Sequence, residues 1–493
     1  MTKDVTTGPS VGRVTHPMLV GGQRVVADSG ESIIVRDPAT DAIVGVVPRA
    51  GAGETKRAID SASVAAAGWR RTPIGERARV LRSLAAAVQN EQDRLAHLLT
   101  EEQGKPIRES MAEIRTAAAY FDGAAGDIER LRGESWASPG GDKRIMVMHH
   151  PVGVVAAITP WNFPSVIPAR KVAPALAAGC TVVLKPSSAA PLSGIAIADL
   201  ALDAGLPPGV LNVVTGDARA VADAFLDDER VRKISLTGST EAGRYLIRGS
   251  ARNITRLTLE LGGHAPFLIF DDADLDAAIA GLMASKFRNG GQTCICANRV
   301  FVQAGIADEF RTAVAKRMRE LKVGPGSDPT TDIGPLINDD AVTKVERHIA
   351  DALGSGAELV VGGGRTMVSG HTDRFFAPTL VDGVTRAMEI SREETFGPVL
   401  PMTTFDTESE AIALANDSDY GLAAYYYTKD GARIIRIAES LEAGILGAND
   451  GTPSAPGVPL GGMGWSGYGR EGGRWGLEDY MEIKYLSWGG HAV

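Results

Sequence analysis

Cysteine is almost missing from this chain: its 493 residues include only Cys180, Cys294 and Cys296. Three thiols cannot build a disulfide framework, and their spacing gives no paired Cys-x-x-Cys for zinc, so no metal site is expected. No apolar run reaches the ~18 residues of a membrane span. The opening "MTKDVTTGPSVGR" is polar where a signal peptide would be apolar. The expectation is a cytoplasmic protein with reduced thiols and no membrane contact. Positive charge is short too. The 51 Lys and Arg against 60 Asp and Glu leave a net charge of −9, the wrong sign for sequence-independent nucleic-acid binding. The sequence also lacks internal repeats and low-complexity segments.

What remains is soluble globular composition, 44% hydrophobic and 23% charged, over a length that suggests about three domains. The 58 glycines exceed the usual share of roughly 7%. They suggest tight turns and close backbone approaches, as in α/β enzymes that hold nucleotides.

After the polar start, "MLVGGQRVVADSGESIIVRDPATDAIVGVV" alternates apolar and polar residues around turn signals and reads as a small β-meander. Residues 53–132 take a helical period. The break at Pro139–Gly141 precedes "KRIMVMHHPVGVVAAITP", read as one strand leaving a sheet and a second entering another. "VGVVAAIT", "CTVVLKP", "GVLNVVTG", "KISLTG" and "TRLTLELGG" are strand candidates that alternate with helices. That order predicts a parallel, doubly wound sheet with ligands at the strand carboxyl ends. A second α/β set starts near Ala265 with "PFLIF", "DLDAAIAGLMASKF", "NRVFVQ" and "GILGAND". The final "LEDYMEIKYLSW" reads as an edge strand that needs a partner, either the strand near Met146 or another subunit.

Three stretches carry candidate chemistry. In "FRNGGQTCIC", Cys294 follows a helix and a glycine turn, where its sulfur and backbone N–H can face a cleft. A cysteine is also commonly a small buried hydrophobe. In "LTLELGGHAP", Glu260 ends an apolar strand before two glycines, either as a paired structural acid or as a base with a raised pKa. In "ITPWNFP", Asn162 sits in a proline-fixed turn, able to donate to a developing oxyanion or simply to cap the turn.

Together with "LKPS", "LTGSTEAG" and "EETFGPV", these motifs resemble the aldehyde dehydrogenase superfamily, in family order and over nearly the whole chain. The resemblance implies two doubly wound α/β domains and a small β oligomerisation arm. The dinucleotide domain would span 1–133 and 152–261, and the catalytic domain 262–447. Oligomerisation strands would lie at 134–151 and 476–493, with a substrate-pocket loop at 448–475. It implies Cys294 as the nucleophile that captures the aldehyde, with Asn162 and the Cys294 N–H holding the oxyanion. Glu260 would activate water against the thioester.

For the NAD or NADP cofactor the resemblance implies Pro160, Trp161, Lys185, Ser188, Gly238, Ser239, Leu261, Glu394 and Phe396. Lys185 would hold the adenosine ribose, Glu394 the nicotinamide ribose, and Gly238 and Ser239 the pyrophosphate at a helix start. Ser188 stands where NAD-preferring members often carry a glutamate, so NADP is expected to be accepted and even preferred.

"EEQGKP", "ARKVAPALAAGCTVVLKP", "SKFRNGGQTCICANR" and "GREGGRWGLEDYMEIKY" are similar to the bacterial succinate-semialdehyde subgroup. There two arginines and a serine hold the substrate's remote carboxylate, which implies Arg170, Arg288 and Ser454. An unanswered arginine facing a closed pocket calls for an anion; the plainer readings are a helix C-terminal cation for Arg288 and a surface charge at a helix start for Arg170. Departures at Leu236, at His264 and in "GTPSAPGVPLGGMGWSGYG", with Pro453, Pro456 and Trp465, keep glutarate, 2-oxoglutarate and aromatic aldehydes open. A CoA-acylating dehydrogenase, which usually lacks the water-activating glutamate, and a non-catalytic binding protein are the remaining rivals. Cys296 is implied as a redox partner of Cys294 or as a packed thiol. Assembly as a homodimer or homotetramer is implied.

Overall fold

The computed structural model describes residues 15–490. The N-terminal polar stretch and the last residues of the expected C-terminal arm lie outside them.

Val154–Ile158 and Thr181–Lys185 are runs of β-branched and small apolar residues, nearly all buried. Strands buried on both faces belong in a parallel sheet covered by helices. Val154–Ile158 pairs in parallel with Thr181–Lys185 on one side and with Val231–Thr237 on the other. Leu211–Val213 extends the first side and Arg256–Glu260 the second, both in parallel. The chain therefore winds outward in both directions from the seam between Val154–Ile158 and Val231–Thr237. The carboxyl ends at such a reversal leave a crevice that helices cannot fill.

The expected N-terminal meander divides. Met18–Val20 and Gln23–Val25 join the edge of this sheet through Leu19 opposite Val213, while Ser32–Arg36 and Ile43–Pro48 form a separate hairpin. Packing of Met18 and Leu19 into the core outweighs the local signal for one continuous meander. Gly467–Tyr468, within the expected pocket loop, adds an antiparallel strand at the far edge beside Leu259 and Glu260.

The second sheet has seven strands from Ala265 onward, and six of them, Ala265–Ile269 among them, pair in parallel, while Glu358–Val361 adds an antiparallel edge. It too reverses, between Ala265–Ile269 and Ala423–Tyr427. The helix Leu275–Lys286, capped by Asp274 on the Ala277 N–H, leads into the turn before Cys294. Met481–Gly489 pairs along its length with Lys143–Pro151, Leu486 opposite Met146, and Glu134–Ala137 completes a three-stranded sheet. Among the described residues no helix is long and apolar enough to cross a membrane.

Candidate active site

Cys294 hangs from the connection between Leu275–Lys286 and the strand Ala297–Gln303. Its carbonyl oxygen lies 2.2 Å from where a Cβ on Gly263 would be. Glycine at 263 thus lets the nucleophile's loop press against the segment after Glu260. Burial pushes the Cys294 thiol up to about 12, and Glu394 and Glu260 push it the same way. Its backbone N–H makes no hydrogen bond among the described residues.

Asn162 is buried, and its Nδ2 donates to Gln292 O at 3.1 Å while its Oδ1 has no partner. The second Nδ2 proton and the Cys294 N–H are both free to meet a carbonyl oxygen that turns anionic. Asn162 is fixed by its own carbonyl, which accepts from Lys105 Nζ at 2.7 Å and Asn289 Nδ2 at 3.0 Å. Lys105 in turn binds Glu113 at 2.6 Å with both side chains buried, and Glu113 accepts the Ser165 and Val166 N–H groups that open the helix Val166–Ala178. Sequence reasoning missed this support. Lys105 stood inside the quoted "EEQGKP", but its partners lie far away along the chain.

Glu260 ends its strand with both carboxylate oxygens buried and unpartnered. Burial, and then the charge of Glu471, holds its pKa well above the usual carboxylate range. Glu471 was also missed. It accepts from Lys171 Nζ at 2.5 Å and Arg170 Nε at 2.7 Å. A carboxyl that binds protons tightly and faces the thiol's electrostatic neighbourhood has the character of a general base.

Arg170 is not a surface charge at a helix start; it lies buried within Val166–Ala178. Glu471 answers its charge and Tyr120 hydrogen-bonds to it. The argument from an unanswered arginine therefore applies to Arg288, which makes no ion pair or hydrogen bond among the described residues. Its guanidinium sits 4.8 Å from the Phe163 ring centre, and Lys105 Nζ lies 4.0 Å from that same centre. Ser454 is half-buried and makes no hydrogen bond; Pro456 of the same loop lines a small cavity with Tyr120 and Arg170. Trp465, expected at the pocket mouth, meets the Tyr420 ring edge-on at 6.1 Å and carries the Arg244 guanidinium over its own ring at 4.2 Å, beside the helix Thr240–Ser250.

The dinucleotide candidates stand at the carboxyl ends of the first sheet's strands and on segments that touch them. Thr159 Oγ1 and Thr237 Oγ1 are buried without partners at adjacent strand ends. Lys185 is buried with no ion pair among the described residues; burial pulls it down to about 8, partly offset by Asp217. Ser188 Oγ donates to Gly216 O at 3.0 Å. Gly238 donates its N–H to Glu260 O, Ser239 caps Thr240–Ser250 by accepting from the Ala242 N–H, and Leu261 packs on Gly243. Glu394 accepts from the Gly263 N–H at 3.1 Å and is pushed up to about 7 by burial. A Cβ on Gly262 would meet Glu394 Oε2 at 3.1 Å. Phe396, at φ 56°, meets Trp161 edge-on at 5.6 Å, half-buried Pro160 preceding that ring. Orphaned hydroxyls, an unpaired buried cation and a glycine-lined cradle fit a ligand with phosphates and ribose hydroxyls.

Cys296 is fully buried and unbonded to Cys294. Its Sγ lies 3.4 Å from Gly291 O and 3.7 Å from Lys286 Nζ.

The model of the Aldehyde dehydrogenase family matches residues 25–486. The chain is 49% identical to the NADP(+)-dependent succinate-semialdehyde dehydrogenase GabD of Escherichia coli strain K12, covering 95% of this chain and 96% of that one. It is 49% identical to the glutarate-semialdehyde dehydrogenase of Pseudomonas aeruginosa PAO1, covering 96% and 97%. The crystal structure of succinate-semialdehyde dehydrogenase from Burkholderia pseudomallei superposes with a TM-score of 0.95 at 49% identity, covering 96% and 98%.

Proposed function

The chain belongs to the aldehyde dehydrogenase family, and on that premise we propose that it oxidises a short aldehyde bearing a remote carboxylate to the diacid. Succinate semialdehyde is the leading substrate and glutarate semialdehyde the second, with either NAD+ or NADP+ as oxidant. The observation that carries the substrate class is Arg288, which forms no ion pair or hydrogen bond among the described residues, has only the negative charge of Glu109 in its neighbourhood, and is held over Phe163 next to Asn162. A carboxylate at the far end of the substrate would answer it.

The mechanism follows from the chain's own groups. Cys294 must pass its proton to Glu260, and from there to solvent, before it attacks, because its thiol is held neutral by burial. Attack on the carbonyl carbon gives a thiohemiacetal whose oxygen is met by Asn162 Nδ2 and the Cys294 N–H. The bound dinucleotide supplies the hydride acceptor. Glu260 then takes a proton from water as that water attacks the thioester, releasing the acid and restoring the thiol. A route to a thiol acceptor would not need Glu260.

The reading extends to a cytoplasmic homodimer or homotetramer. The strand Met481–Gly489 exposes Ile483 and Tyr485 on one face, an apolar surface at a sheet edge of the kind subunits cover. NAD(P)H formation over a panel of neutral, aromatic and ω-carboxyl aldehydes tests the function. The expected order is succinate semialdehyde first, with activity abolished in Cys294→Ala. Equal rates on butanal and succinate semialdehyde would remove the carboxylate reading.

A further inference from the structure

We propose that Arg49 and Asp217 set the preference at the ribose 2′ position, Arg49 attracting a 2′-phosphate and Asp217 opposing it. The inference rests on the dinucleotide reading above and deepens it.

The residues are joined around one turn. Ala50 donates its N–H to Thr215 O at 2.9 Å, and Thr215 Oγ1 donates to Pro48 O at 2.7 Å. Gly216 lies flush against Ala50, since a Cβ there would fall 2.2 Å from Ala50 O. The segment 48–50 is thus fastened to the turn that opens the helix Ala218–Asp227. Ser188 is fastened to the same turn through Gly216 O. Lys185 is fully buried, and Asp217 is the charge that acts on it. Lys185, Ser188, Asp217 and Arg49 therefore form one neighbourhood, at the end of the crevice assigned to the adenosine ribose.

Asp217 is fixed. Its Oδ1 accepts the Arg219 and Ala220 N–H groups at 3.0 Å as the helix cap. Its Oδ2 faces Arg49, whose guanidinium lies 3.5 Å from it and 3.6 Å from Glu31 Oε2. Among the described residues Arg49 makes no side-chain hydrogen bond, and it is about one-third exposed. Only these two long ion pairs hold its donors, and a phosphate is the planar fork's natural partner. Around the 2′ position stand two cations, Lys185 and Arg49, the positive helix end and two carboxylates, Asp217 and, on the far side of Arg49, Glu31. Ser188 removes a repulsion but supplies no charge. Arg49 supplies the attraction, and Asp217 keeps NAD+ competitive.

Calorimetric titration of the full-length protein with 2′,5′-ADP and with AMP isolates this end of the cofactor from turnover. Arg49→Ala is expected to weaken 2′,5′-ADP about tenfold, the scale of one charge-assisted hydrogen bond, with AMP within about twofold. Arg49→Lys should retain most of the affinity. Asp217→Asn keeps the helix cap and should tighten 2′,5′-ADP while leaving AMP unmoved. Equal shifts for both ligands in Arg49→Ala, or no shift for either, would overturn the proposal. AMP binding in each variant reports that the pocket is folded. A wild-type protein that binds neither ligand would instead bring down the dinucleotide reading itself.

Discussion

Behind the aldehyde pocket, Lys105 and Glu113 are both buried and answer one another at 2.6 Å, and their remaining capacity goes to Asn162 O and the helix N–H groups at 165 and 166. At the reacting centre, Glu260 is equally buried and neither of its oxygens has a partner. Both carboxylates are dry, but one is neutralised by design of the fold and the other is left to titrate. A satisfied buried pair fixes geometry, and removing one partner strands the other. An unsatisfied buried acid destabilises the native state and persists where its proton is needed.

Exchanging the two acids in turn sets this contrast at its widest. Glu113→Gln should lower unfolding stability by about 3–5 kcal/mol, the cost of stranding a buried charge, and should loosen Asn162. Glu260→Gln should reduce turnover by at least about a hundredfold, the low end for a lost general base, while leaving stability equal or higher. The stability gap should depend on pH. The Glu260 pKa is raised on folding, so its protonated form stabilises the protein below the ordinary carboxylate range. That contribution is lost as pH rises through the native value. Glu260→Gln should therefore gain on the parent as pH increases from about 4. Denaturant melts at several pH values read this directly. A loss of stability in Glu260→Gln that is flat with pH would erase the distinction between the two acids.

The candidate chemistry was legible because it is local. Cys294, Glu260 and Asn162 each stand in a short run with glycines or prolines that mark a turn at a strand or helix end. The strand pairing of Met481–Gly489 with the segment around Met146 was also readable, because an unpaired edge demands a partner. What answers each charge was not readable. Glu471 reaches Arg170 and Lys171 across some 300 positions, and Lys105 reaches Asn162 across 57. Charge compensation is set by packing between elements, for which the local pattern carries no signal. Arg170 and Arg288 therefore looked alike in sequence and differ in the fold.

That difference predicts an intermediate effect. Arg288→Ala should raise KM for succinate semialdehyde by about tenfold or more, as for a lost charge-assisted contact, and leave KM for butanal within about twofold. Arg170→Ala should behave unlike it. It frees one side of Glu471, so kcat should fall for both aldehydes as the charge facing Glu260 rises. Matching KM effects from the two variants would mean that both arginines meet the substrate.

The smallest effect separates the two cysteines of one loop. Cys294 is partly accessible and faces unpartnered groups, whereas Cys296 is sealed, its Sγ against Gly291 O and Lys286 Nζ. Lys286 keeps Asn298 Oδ1 at 3.1 Å when that sulfur is removed, so the cation is not stranded. Cys296→Ala should then cost about 1 kcal/mol, the scale of a small buried side chain truncated by one heavy atom, with kcat unchanged. A thiol enclosed in this way is slow to meet peroxide, because oxidation needs exposure, which Cys294 has in part and Cys296 lacks. Peroxide should inactivate the parent and Cys296→Ala at the same rate through Cys294. Protection of the parent by a dithiothreitol-reversible state that the variant lacks would show that the loop opens far enough for the two sulfurs to meet.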